Sequence, residues 1–440
     1  MKKNCHCLLI PLIIFLLPSA RGQDSLGNTR MSLSEAFQLA LKNSIQLKVR
    51  HSNVELAREQ TEIQRLAKLP ELSAGLDYGY LSNADIWTTN LSHHQVAGLP
   101  HPLTLFSVDA SEVLYAGGRI ANAIRKSTLE EQIAFLNLEK DETDIKFLVA
   151  AEYLDIFRLL NQRHVYLNNA RLARARLKNI IELHRQGMVT QNDQLRTELI
   201  ISDYELTARK IGNSIVQLDN QLNIVLGLPD SSRIIPDTTL IHRPAMVFTA
   251  DNVIDKAFKE NHEIHISEKE QAIAEANILL LKGERLPTIA LFGASNLQRP
   301  FLNAIPAIDI YYNIWRAGVS VRYDISSIYR SPRKIKAGYL DLDISRQNDS
   351  LTRQNVEVGV RNALIKYNES QDELRTYLSD LRSAEENYRI VESRYFNKLA
   401  LLTDLLDATN TKIEAELKVT DAEINTVYTY YQLQKVISTL

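Results

Sequence analysis

Cysteine is almost absent from this chain of 440 residues: the two present, Cys5 and Cys7, both lie close to its start. The rest of the sequence therefore offers no disulfide, no thiolate metal site and no cysteine nucleophile. Glycine and proline are scarce, at 15 and 12 residues, so turns are few and long elements are expected. An excess of charge of one sign is missing too. Lys and Arg total 51 against 53 Asp and Glu, a formal net charge of −2, and nothing in that balance points to nucleic acid as a partner. Beyond residue 22 there is no run of 18 apolar residues, so no helix is expected to cross a bilayer. A phosphate loop, a zinc-protease helix and a Gly-x-Ser-x-Gly elbow are also lacking, and the chain reads as a protein that is not an enzyme and needs no cofactor or catalytic metal.

What is present begins with residues 1–22. Lys2 and Lys3 precede an apolar stretch, Leu8–Leu17, and Ala20 and Gly22 supply small residues before Gln23. This is the pattern of a secretory signal peptide, too short to span a membrane. Neither cysteine stands at the expected cleavage point, which argues against an N-terminal lipid anchor.

The remaining chain says nearly the same thing twice. Residues 253–287 echo residues 36–70, with Ala257-Phe258-Lys259-Glu260 answering Ala40-Leu41-Lys42-Asn43 at an offset of 217. Further on, Arg333 answers Arg119 and Tyr367 answers Tyr153 at 214, and Asp404-x-Leu406 answers Asp193-x-Leu195 at 211. The organisation expected is a first repeat over 23–226, a linker over 227–251 rich in Pro, Ser, Asp and Thr, and a second repeat over 252–440. Each repeat reads helix, strand, strand, long helix, helix. Ser32 with Glu35 three residues on has capping-box spacing for a helix running to Leu69. No proline or glycine interrupts Arg119–Arg185, a helix of roughly 100 Å at ~1.5 Å per residue. Helices are also expected over Gln191–Leu226, Asn252–Arg285, Arg333–Phe396 and Leu402–Ser438. Apolar residues recur at three- and four-residue steps, as in Leu402, Leu406, Ile413, Leu417, Ile424 and Tyr431, a coiled-coil-like pattern. The two shorter helices of the first repeat sum to about the length of the long one, so stacked end to end they can line it completely.

Strands are expected at about 72–81, 103–115, 288–296 and 316–325. Three alternate cleanly, as in Leu72, Ala74, Leu76, Tyr78 and Tyr80 against Ser73, Gly75, Asp77 and Gly79; Thr288–Asn296 is apolar on both faces. Ten-residue segments with one apolar and one polar face suit an outer-membrane barrel. They also suit a soluble hairpin with one face on a core. Four strands cannot close a barrel, and an open edge cannot persist in lipid, so a membrane location requires several chains. Three chains supply twelve strands.

Leu114-Tyr115-x-Gly117-Gly118-Arg119, Gly187-Met188-Val189-x-x-x-Asp193 and Asp404-Leu405-Leu406-Asp407-Ala408-Thr409, in this order and with the duplication, resemble the TolC family of outer-membrane efflux proteins over essentially all of the chain after residue 22. The resemblance implies a fold that is mainly α with a transmembrane β-barrel: a homotrimer whose twelve strands form the barrel and whose helices form a periplasmic tunnel. It implies an outer-membrane location, surrounding outer-membrane lipid, and as partners a periplasmic adaptor (membrane fusion) protein and an inner-membrane pump of the efflux or ABC type. Asp404 and Asp407, three apart, point to one face of a helix and in a trimer would ring the pore with six carboxylates, a cation-selective arrangement; acids in a first helical turn also suit the helix dipole. The resemblance places Asp193, Asn192 and Tyr395 at gate contacts between helices, with Ala400 where a basic residue is expected and Lys398 the nearest positive charge. Gly187, Met188 and Val189 at one hairpin tip, and Lys398, Leu399 and Leu401 at the other, form an exposed, partly apolar surface suited to docking the adaptor. His93, His94 and His101 crowd one loop, Ser82–His101, with no carboxylate or cysteine among them to complete a metal site. A soluble periplasmic coiled-coil scaffold, or a conduit for protein secretion, are the other readings this sequence admits.

Overall fold

The computed structural model describes residues 28–237, 248–304 and 306–440; the leader read in residues 1–22 and the central part of the linker lie outside them. Strand β1 (Asn28–Met31) leads into helices α1 (Leu33–Asn43) and α2 (Ile45–Leu66). Strands β2 (Glu71–Tyr80), β3 (Ala84–Trp87), β4 (His94–Ala97) and β5 (Pro102–Tyr115) follow, then the long α3 (Arg119–Arg185) and α4 (Gln191–Leu226). Strand β6 (Arg233–Pro236) precedes the second repeat: α5 (Ala250–Glu260), α6 (His262–Gly283), β7 (Thr288–Arg299), β8 (Tyr312–Arg322), the long α7 (Ser327–Phe396) and α8 (Leu402–Ile437).

The first helix of each repeat is two helices, not the single one expected from its unbroken apolar periodicity. Ser44 and Asn261, at the repeat offset of 217, leave helical conformation and cap the helix that follows. Ser44 Oγ accepts from Leu47 N–H, and Asn261 Oδ1 accepts from Glu263 N–H and Ile264 N–H. Ser and Asn compete with the helix for backbone partners and so favour its ends. The joint is held from below in both repeats. Asn43 Nδ2 donates to the Leu226 carbonyl at 2.6 Å, and Asn261 Nδ2 to the Val436 carbonyl at 2.9 Å. Each C-terminal helix thereby stacks under its short pair, and the column lines the long helix. Asn261→Ala removes both the cap and this link, and is expected to lower thermal stability by about 1–2 kcal/mol.

Three further expectations need correcting. Helix α7 starts at Ser327, not Arg333; Arg119 is the first residue of α3, while its sequence counterpart Arg333 lies inside α7. The last strand is Tyr312–Arg322 rather than 316–325, because Asp324 already turns the chain by accepting from Ser326 N–H at 3.0 Å. Two strand pairs escaped the sequence pattern: β1 with β6, parallel, and the short hairpin β3–β4. At four residues each they are too short to show a period.

The four long strands form one antiparallel sheet in the order β2-β5-β7-β8. Gly117 and Gly118, at φ +63° and +76°, make the turn from β5 into α3. A Cβ on Gly117 would lie 2.7 Å from the Gly283 carbonyl, so the close approach of α6 at this turn requires glycine. Arg119 fixes this corner, donating from Nη2 to Thr288 Oγ1 at 2.7 Å. The main core sits around the middle of the bundle, where Leu47, Tyr153, Leu154, Ile156, Leu222 and Leu226 meet.

Candidate functional site

The registers of the four strands sort their side chains onto two consistent faces. Leu72, Ala74, Leu76 and Tyr78 lie beside Ala110, Val108, Phe106 and Thr104; these continue through Gly293, Ser295 and Leu297 to Ala317, Trp315 and Asn313. Val319 and Val321 extend the same face through Leu291 and Ile289. The opposite face carries Asp77, Asp109, Asn296, Gln298, Arg316 and Arg322. The strand that read as apolar on both sides is thus sorted by its partners, with Phe292 and Ala294 on the polar face. The apolar face is uncovered: Leu72 is 74% exposed, Tyr78 79%, Trp315 75% and Val321 67%. A free sheet face this apolar has no place in water, and its width fits hydrocarbon. Ten residues at ~3.4 Å, tilted by ~40°, rise about 25 Å. Among the described residues no helix is long and apolar enough to cross a membrane.

At the far end of the long helices the two hairpin tips share one construction. In the first, Met188 N–H bonds to the Leu183 carbonyl and Gly187 N–H to that of His184; in the second, Leu399 N–H bonds to Arg394 and Lys398 N–H to Tyr395. Both are Schellman turns, which need a left-handed residue after the cap. Gly187 supplies it at φ +69°, and Lys398 at φ +64°. A lysine there carries a Cβ penalty of about 1 kcal/mol that glycine avoids. Lys398→Gly is therefore expected to raise the tip's local stability by about that amount, read as slower amide exchange at Leu399. Met188, Leu399 and Leu401 are exposed, at 45%, 68% and 70%.

Asp193 and Asp404 occupy equivalent places, the third residue of α4 and of α8. Asp193 accepts from Thr190 N–H and Oγ1, both at 3.0 Å, and Asp404 accepts from Leu401 N–H at 2.9 Å. Each closes its own helix end, as the dipole argument anticipates. Asp407, one turn further on, is exposed on the same side as Asp404, while Leu405, Ala408 and Thr409 are buried on the other. The two carboxylates thus share a face turned away from the chain's own packing.

Tyr395 is buried against Ile180, Leu402 and Leu405. Its hydroxyl is buried without a hydrogen-bond partner among the described residues, and burial, with the Asp193 charge adding, pushes its pKa up. Asp193 spends its carboxylate on Thr190, so the expected Tyr395–Asp193 pair is brought close but not joined. Asn192 is exposed.

The polar link between the two hairpins lies higher, at residues the sequence reading missed. Arg176 of α3 is 7% exposed. Its Nη2 donates to Tyr388 Oη at 2.9 Å, Tyr388 Oη donates to Glu392, and Arg176 Nη2 stands 3.6 Å from Glu392 Oε1. Burial, then the hydrogen bond to Glu392, pushes the Tyr388 pKa up to about 12, so the phenol keeps the proton it donates. Lys412 of α8 sits 5.0 Å from the centre of the Tyr388 ring, closing the cluster with a cation–π contact. One signal was available in the sequence: Arg176 falls on the stripe Ala170, Ala173, Ile180, where a cation breaks an otherwise apolar run.

In the loop between β2 and β5, the three histidines go to separate partners. His94 Nε2 lies 2.8 Å from Asp85 Oδ1 with its ring stacked on Trp87, His101 Nδ1 donates to the Leu81 carbonyl, and His93 Nδ1 meets Ser92 Oγ.

A sheet with a lipid-compatible face and two open edges, continued by helical columns of roughly 100 Å, defines one subunit of a barrel-and-tunnel channel. The comparisons with known proteins agree. The model of the outer membrane efflux protein family matches residues 253–439. The outer membrane protein TolC of Vibrio cholerae serotype O1 is 22% identical over 442 residues, covering 98% of this chain and 95% of its own length. That of Escherichia coli K12 is 22% identical over 451 residues, covering 98% and 86%. The solved CusC structure superposes with a TM-score of 0.77 at 15% identity over 95% of each chain. The Campylobacter jejuni CmeC outer membrane channel gives 0.75 at 14% identity over 98% and 94%. The second repeat matches the outer membrane efflux protein family, and the chain as a whole has the fold of these outer-membrane channel structures.

Proposed function

We propose that this protein is a trimeric outer-membrane efflux channel, a passive conduit that receives its cargo from a periplasmic adaptor and an inner-membrane pump. The observation that carries this is the coherent apolar face of a four-stranded sheet whose outer strands, β2 and β8, each present an edge unpaired among the described residues. In hydrocarbon an unpaired backbone edge has no water to bond, so copies of the chain must close on one another. Three copies give twelve strands and an aqueous lumen lined by the polar face.

The other end of the molecule regulates passage. Asp404 and Asp407, on the face turned away from the subunit's own packing, supply a ring of six carboxylates that favours cations. The tips at Gly187, Met188 and Val189, and at Lys398, Leu399 and Leu401, offer apolar side chains to the adaptor. With Ala400 where a basic residue is expected and Tyr395 unbonded, the closed state rests on the Arg176–Tyr388–Glu392 link between hairpins. An adaptor that pulls the tips apart must break it.

Envelope fractionation tests the reading. The protein is expected to stay with outer membranes through high-salt and alkaline washing and to leave them only in detergent, as a trimer. Release by alkali as a soluble species would instead support a periplasmic coiled-coil scaffold.

A further inference from the structure

The waist of the subunit is fastened by side chains that the channel reading does not use. There the short parallel pair β1–β6 is laid on α3 and α4 through β6. Three buried residues hold it down. Tyr153 of α3 donates its hydroxyl proton to the Met31 carbonyl at 2.8 Å and accepts from Asp237 N–H at 2.6 Å. Asp219 of α4 accepts from Ile234 N–H on Oδ1 at 3.2 Å. Asn223, one turn further on, donates from Nδ2 to the Ser232 carbonyl at 3.1 Å. A two-stranded pair is marginal on its own, so these side chains decide whether the belt stays in place.

Two of the three have an oxygen left over. Asp219 is 1% exposed and Asn223 0%. Asp219 Oδ2 and Asn223 Oδ1 are both buried without a hydrogen-bond partner among the described residues. One turn apart on one helix, they share a face. Two orphaned acceptors side by side are unfavourable, because neither can donate to the other. Arg233 does not relieve them. Its Nε stands 3.9 Å from Asp219 Oδ2, and its Nη1 donates instead to the carbonyls of Asp230 and Ser232. A metal cation is a poor fit, since that guanidinium already faces the carboxylate. Among the described residues no group of three His, Cys, Asp or Glu could hold one.

A single proton satisfies both oxygens. We propose that Asp219 is a buried proton-binding site: the proton sits on Oδ2, donates to Asn223 Oδ1, and completes the fastening of β6 to α4. It enters from water as pH falls and returns to water as pH rises, and no other bond is made or broken. The protonated carboxyl keeps Oδ1 for Ile234 N–H, so Asn223, Asp219 and the strand form one continuous chain of donors and acceptors. Burial raises the Asp219 pKa, against the opposing effects of the Ile234 N–H and Arg233.

The other titratable groups around the belt are Arg233 of β6 and Asp237 just beyond it, Tyr153 and Glu152 of α3, Glu35 of α1 and the exposed Arg30 of β1. Tyr153 is pushed up to about 12 by burial and keeps its proton throughout. Glu35 is held down by its hydrogen bonds from Ser32 and stays ionised. Glu152 is raised by its own burial and by Asp155, so only a substitution at Asp219 itself assigns the effect. A carboxyl whose pKa is raised on folding stabilises the fold below its unfolded value, and that contribution is lost as pH rises through the folded value. The belt is therefore tightest in acid and loosens toward alkaline pH, the reverse of a carboxylate that a cation holds ionised.

Hydrogen exchange over residues 228–237 of the intact protein in detergent, read by mass spectrometry, tests the proposal. Protection of this segment, corrected for the intrinsic pH dependence of exchange, is expected to rise about ten-fold as pH is lowered from about 8 to about 5. Asp219→Asn has the shape of the protonated acid: its Oδ1 can accept from Ile234 N–H and its Nδ2 can donate to Asn223 Oδ1. That variant is expected to show the acid level of protection at both pH values. Infrared difference spectra between the two are expected to contain a protonated-carboxyl band that Asp219→Asn lacks. Protection that does not change with pH in the unsubstituted protein, a pH response that survives Asp219→Asn, or the absence of that band overturns the proton site. So does a loss of protection in Asp219→Asn, which would show that the ionised carboxylate fastens the strand. Neither readout depends on conductance, so the result stands apart from the channel reading.

Discussion

Replacing Arg176 by alanine is expected to raise the resting conductance of the channel several-fold and to destabilise the joined hairpins by about 2–4 kcal/mol. The cost is large because the guanidinium is buried and its removal leaves Tyr388 Oη without its donor and Glu392 without its cation. Glu392 retains partial solvent access, which sets the range below that of a fully buried pair. Arg176→Lys is expected to rescue little, since the shorter side chain carries a more strongly hydrated ammonium that is costlier to bury than the guanidinium. Tyr388→Phe removes one hydrogen bond and is expected to cost about 1 kcal/mol. A double-mutant cycle between Arg176 and Glu392 checks the link directly: a coupling near zero would place the latch elsewhere.

The second large effect concerns the acidic ring. Asp404→Asn with Asp407→Asn is expected to abolish block of the current by a divalent or trivalent cation and to remove most of the preference for cations. The two positions differ in what else they do. Asp404 also closes the end of α8 on Leu401 N–H, so Asp404→Asn alone costs a few tenths of a kcal/mol of helix stability while asparagine still offers an oxygen to that N–H. Asp407 makes no such cap, and Asp407→Asn alone is expected to weaken the block without touching stability. Equal effects on block and on melting temperature for both would mean that the acids serve the helix rather than the pore.

How far the fold was legible depends on how each feature is encoded. Helices α3 and α4 were bounded to the residue, because Gly118, Gly187 and Gly227 sit at their ends and no proline falls inside them. The split at Ser44 and Asn261 was not legible: apolar spacing continues across the break, and only the caps reveal it. The strands were found by alternation, but Thr288–Arg299 had two apolar sides, and only its register with β5 and β8 decides which of them meets lipid. At the site, the acids and tips stand in local motifs and could be read. Arg176, Tyr388, Glu392 and Lys412 come from three helices and are distant in sequence, so their meeting depends on how the hairpins pack.

The central claim is that three copies of this chain enclose a water-filled path through the outer membrane. Its most direct test is the current through single molecules of the purified protein added to a planar bilayer. Stepwise insertions of one small, cation-preferring conductance, blocked from the side of the hairpin tips by a multivalent cation, are the result expected. Protein that remains soluble without detergent and carries no current at any concentration would contradict it.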